Sequence, residues 1–180
     1  VVSGTVTSGI TVNANPEGSS GVTLLTGNPT VNTAGSGSVG QISVGGNAAP
    51  TITANAPIGA VSVTDTAAPT VGGSAQVGAV VSSSSGTTTV SNTNTAAVLA
   101  TDTEKVSGAT AQAAVVTLQS IAVTAYPAKL NYAVGSPALD TTGMVVTGYY
   151  TVTGFEGTVS RVLAAGTDYT VGTADMSAAG

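Results

Sequence analysis

The sequence predicts an all-β protein, and three observations carry that expectation. Apolar β-formers recur at Val12, Val22, Val31, Ile42, Ile52, Val61, Val71, Val80, Val90 and Val98, eight to eleven residues apart. Between them lie explicit chain breakers, "NANPEGSSG" at 13–21, "TGNPT" at 26–30, "GGNAAP" at 45–50, "DTAAP" at 65–69 and "SSSSG" at 82–86, where Gly, Pro, Asn and Asp set turn geometry. The apolar fraction, 42%, is mostly Ala and Val, with one Phe and no Trp; each buried side chain removes little area, so thin layers with many small contacts are favoured.

The elements follow in chain order. "VVSGTVTSGITV" places Val2, Val6, Ile10 and Val12 on one face, the period-two signature of a strand. These four residues are the candidate assembly positions, because the segment alternates cleanly, is uncharged and suits donation to a neighbouring copy. Short strands continue to residue 101 as an irregular sandwich or, alternatively, a β-solenoid. Loose self-similarity in "TVNANP" at 11, "TVNTAG" at 30, "TITANAP" at 51 and "SVTDTAAP" at 62 has offsets of 19, 21 and 11 residues, which favours the sandwich over a regular solenoid. Residues 95–118 hold the best helix formers, but Thr, Val and Gly interrupt them and strand with loop is the expectation. The charged run Asp102-Thr103-Glu104-Lys105 reads as a boundary, with 102–115 a linker.

From residue 116 the vocabulary changes. Leu118, Ile121 and Val123 alternate into Tyr126-Pro127; Lys129, Tyr132 and Gly135 lead to Leu139-Asp140; "GMVVTGYY" and "TDYTV" follow. In order and spacing this run resembles the bacterial immunoglobulin-like domains of cell-surface and surface-layer proteins, with Val146, Tyr150, Tyr169 and Val171 at further matching positions. The resemblance implies a β-sandwich over 116–180, with a core of Leu118, Ile121, Val123, Tyr132, Leu139, Val146, Tyr169 and Val171. It also implies that the domain is incomplete, since the final Val-rich strand of such domains would begin where "DMSAAG" stands.

Charge excludes several functions. Residues 1–101 carry only Glu17 and Asp65, and the whole chain has three cations, Lys105, Lys129 and Arg161, for a net charge of −5. Three cations cannot neutralise a phosphate backbone, so nucleic acid is not an expected partner, and no apolar run approaches the roughly 18 residues that span a bilayer. The start at Val1, without Met, reads as a processed chain or a fragment. With no His and no Cys, imidazole acid–base chemistry, thiolate chemistry and conventional zinc sites are excluded, and the chain is expected not to be an enzyme. "GSGSVG" at 35–40 matches the dinucleotide glycine pattern in letters, but a strand-like "QISV" follows where a helix is required. Asp102, Glu104 and Asp65 are the candidate calcium ligands, calcium being the single cofactor considered, although no dense acidic loop supports them.

A surface this poor in charge has little to keep copies apart. The expectation is therefore an extracellular structural subunit of a prokaryotic surface layer or filament, whose partners are copies of itself and cell-wall glycan. Two alternatives stand beside it. An adhesin or glycan-binding module would need an exposed platform drawn from Tyr126, Tyr132, Tyr149, Tyr150 and Tyr169; a phage virion protein would use the same kind of immunoglobulin-like module.

Overall fold

A computed structural model describes residues 9–16, 20–136 and 139–172. The described residues form fifteen strands: β1 Ile10–Asn13, β2 Ser20–Leu24, β3 Thr30–Ala34, β4 Val39–Val44, β5 Thr51–Ala54, β6 Ile58–Val63, β7 Thr70–Gly73, β8 Val77–Ser82, β9 Thr88–Val90, β10 Val98–Ala100, β11 Val106–Ser107, β12 Gln112–Ala113, β13 Val116–Ala125, β14 Val145–Val152 and β15 Phe155–Leu163. It divides into two units, one of Val1–Thr117 with Tyr150–Val159, the other of Leu118–Tyr149 with Ser160–Gly180.

The first unit is a β-solenoid of about five turns. Strands alternate between two six-stranded sheets, β1-β3-β5-β7-β9-β11 and β12-β10-β8-β6-β4-β2, and all their pairings are parallel. The eight-to-eleven-residue spacing is thus half a turn, and each breaker is a corner that passes the chain to the other sheet. The sandwich expectation for 1–101 is corrected to its alternative, because these connections cross between sheets and never fold back as hairpins. Residues 102–115 are corrected as well: β11 and β12 extend the two sheets, so the segment belongs to the solenoid and is not a linker.

Two aliphatic stacks fill the interior. Val31, Ile52, Val71 and Val90 pair in succession across one sheet, and Ile42, Val61 and Val80 across the other; all are essentially inaccessible to solvent. Stacked identical faces in adjacent strands, about 4.8 Å apart, let Val and Ile touch the turn above and the turn below. The corners bury polar backbone, and short side chains satisfy it. Thr33 Oγ1 donates to the Ala56 carbonyl at 2.8 Å and accepts from its N–H at 2.8 Å. Asn92 Nδ2 donates to the Ala75 carbonyl at 3.0 Å while its Oδ1 accepts from the Asn94 N–H at 2.7 Å.

A glycine column closes the packing. Gly40, Gly59 and Gly78 stand nineteen residues apart, and a Cβ on Gly59 would lie 2.6 Å from the Gly40 carbonyl oxygen, one on Gly78 2.5 Å from that of Gly59. Successive backbones approach too closely for any side chain.

The two outer faces differ. On the first sheet Thr30, Thr51, Thr70 and Thr89 pair rung by rung and remain exposed or half-buried. On the second sheet the outward positions change from Gln41 and Ser43 to Ala60, Ala79, Val81 and Leu99; the latter four are buried with Val152 and Val159, and Tyr150 and Phe155 pack against them. Those covering residues come from the end of the β14–β15 hairpin, whose strands are joined by Thr153-Gly154 with Gly154 at φ 88°, a two-residue connection that requires antiparallel strands.

The three-stranded sheet has the order β13-β14-β15. Among the described residues nothing after 116 supplies a second sheet, and these residues do not form the immunoglobulin-like sandwich. Leu118, Ile121, Val123, Leu139 and Val171 are corrected as core positions: their exposures are 51%, 55%, 44%, 37% and 44%. Val146 is buried at 5%, and Tyr132 and Tyr169 are half-buried.

Candidate functional site

The exposed surfaces that set this chain apart lie on strands. The outer face of the first solenoid sheet presents a ladder of hydroxyls without a charge. Across its rungs Thr89 Oγ1 and Ser107 Oγ share a hydrogen bond at 3.0 Å, and the face is polar but electrically neutral.

Among the assembly positions, Val2 and Val6 lie outside the described residues. Ile10 and Val12 stand in β1, which pairs with β3 through Ile10↔Val31 and Val12↔Thr33. Val12 is 8% exposed and belongs to the solenoid core. Both are thereby corrected: their side of β1 is spent inside their own solenoid, where leaving would uncover the Val31 stack.

The three calcium candidates do not come together. Among the described residues no group of three or more acidic side chains is placed to hold a metal, and two of the three have structural work. Asp65 has φ 60°, a left-handed conformation that Asp tolerates because its short carboxylate bonds locally. Its Oδ2 accepts from the Gly46 N–H at 2.8 Å and from Thr64 Oγ1 at 3.1 Å, and its carbonyl accepts from the Ser85 N–H at 2.9 Å. One residue thus ties three successive corners together. Asp102 caps the 3-10 turn Thr103–Lys105, accepting from the Glu104 N–H at 3.0 Å.

No protein-family model, curated protein or solved structure matches this chain. Function therefore rests on the geometry of its own surfaces.

In the second unit, Tyr132 organises the loop that the sequence singled out. Its hydroxyl accepts from the Asp140 N–H at 2.8 Å, and the carbonyls of Lys129 and Asp140 each lie 3.2 Å away as acceptors. Lys129 Nζ sits 4.6 Å from the ring centroid, a cation–π distance. Asp140 Oδ1 accepts from the Thr142 N–H at 3.0 Å. Hydrogen bonds from the Thr142 side chain and backbone, with Lys129 adding a smaller attraction, hold the Asp140 carboxyl below its ordinary value.

Beside this loop Ile121, Val123, Met144, Val146, Tyr169 and Val171 line an open groove of about 290 Å³. The groove is apolar and uncharged. Arg161 and Asp168 pair nearby in sequence, and Asp168 Oδ2 also accepts from the Ala164 N–H at 2.8 Å, which fixes the turn that carries Tyr169. Sequence reasoning missed the groove because the residues that line it were assigned to a closed core.

Proposed function

We propose that this chain is a structural subunit of a self-assembling prokaryotic extracellular layer or filament. The observation that carries the reading is that a repetitive, neutral β-surface occurs together with uncovered apolar positions. The threonine ladder repeats at the strand spacing of about 4.8 Å, and Leu118, Ile121, Val123 and Val171 are all more than two-fifths exposed. Large exposed apolar patches mark interaction sites, and two charged residues over the first 101 offer little repulsion against association.

Neither catalysis nor a resident cofactor is part of the proposal. Negative-stain electron microscopy and sedimentation at neutral pH test it. Ordered polymers that grow with concentration are expected; a sharp monomer boundary at every concentration overturns it.

A further inference from the structure

We propose that β13 is the edge through which two copies of this chain join, each pairing its own β13 antiparallel to that of the other. The inference rests on the assembly reading and names its surface. β13 lies at the edge of its sheet and runs for ten residues, "VTLQSIAVTA", with no charge, proline or glycine, its eight inner residues all exposed. Proteins blunt solitary edges with short strands, charges or proline, because an open row of N–H and C=O groups templates pairing.

Among the other edges of the described residues, β1 and β2 are uncharged but only four and five residues long, and the remaining ones are blunted in those ways. β11 and β12 are two residues each and follow the charged Asp102, Glu104 and Lys105. β15, at the opposite edge of the three-stranded sheet, carries Glu156 and Arg161. β13 has none of these devices and is the longest strand among the described residues.

The partner is a second copy because the strand complements itself. A two-fold axis at Ala122 sets Ile121 opposite Val123 and Ser120 opposite Thr124, so that aliphatic meets aliphatic and hydroxyl meets hydroxyl in an isologous contact. Directly opposed residues share a face, so the two apolar grooves beside Ile121 and Val123 would become one continuous surface. The strand and its groove carry no charge, so self-pairing meets no repulsion, and a charged partner finds nothing to pair with.

Cysteine crosslinking tests the register, since the chain has no cysteine of its own. In the full chain, Ala122→Cys stands opposite itself at a Cα separation of about 5 Å, within disulfide range, and mild oxidation should give covalent dimers. Ser120→Cys lies about 13 Å from its counterpart, from two strand steps on each side of the axis, and should stay uncrosslinked. Val123→Lys changes an exposed side chain, should keep its β-type circular dichroism, should abolish the crosslink when combined with Ala122→Cys, and should shift the species seen by sedimentation to smaller sizes, since a two-fold contact joins copies only in pairs. Equal crosslinking at 120 and 122, or a size distribution and crosslink unchanged in folded Val123→Lys, overturns the β13 edge while leaving self-assembly standing. A wild-type chain that neither associates nor crosslinks at 122 overturns both.

Discussion

At Gly59 the side chain is absent, the residue is exposed, and yet the position is constrained. A methyl group there would meet the Gly40 carbonyl oxygen at 2.6 Å, backbone that cannot step aside without moving a neighbouring strand. Gly59→Ala is therefore expected to cost about 1–3 kcal/mol, in the ordinary range for an overpacked site, whereas Gly172→Ala, with nothing within 4 Å of the added carbon, should be near neutral. Urea denaturation of both variants checks this, and equal midpoints would remove the steric account. Asp65 makes the complementary case: its positive φ and its carboxylate bonds explain why a charge occurs in a region almost without any.

At the scale of elements, the Tyr132 loop has a pH dependence whose sign follows from Asp140. Its folded pKa is lowered from 3.8, so the contribution is fully present above that value and is lost as the pH falls through the lower folded value. The Thr142 amide resonance should therefore shift below pH 4, and Asp140→Asn should remove the shift; an unchanged titration would show that the resonance reports another group. Elements also show what was legible in the sequence. Strand existence was, because Val and Ile recur every half turn and parity marks the inward side. The two sheets were harder to separate: "SVTDTAAP" at 62 begins in β6, whereas "TITANAP" at 51 begins in β5, so aligning them compares one strand from each sheet and gives the misleading offset of 11. The strict nineteen-residue step lies in "SVGQISV", "PIGAVSV" and "QVGAVVS", at 38, 57 and 76, where glycine rather than threonine is the marker. At Ile121 and Val123 alternation identified a strand but not its cover, because alternation reports which residues share a face and not whether another layer lies against it; Leu118, three residues before Ile121, falls on the opposite face of the same strand.

At the scale of the whole chain, the solenoid unit is a sum of similar turns, each contacting its neighbours. Removing residues 26–44, one nineteen-residue step, takes out β3 and β4 while leaving the strands that bury Ala60, Ala79, Val81 and Leu99. The shortened protein should keep a single cooperative thermal transition and a β-type spectrum. Removing only residues 35–44 would carry every later strand to the wrong sheet and should abolish folding; equal behaviour of the two deletions would contradict the turn assignment. The same repetition has a kinetic side. Within the solenoid each new turn closes onto residues about twenty positions back, so the loop-closure entropy of adding a turn does not rise with the number already formed. The exception is the β14–β15 hairpin end, whose cluster joins Ala60 to Val159 across nearly a hundred residues. Folding can then advance along the solenoid like a zipper, while its outer apolar face stays wet until that distant hairpin arrives, and during this interval the newly made turns are most vulnerable to capture by another chain.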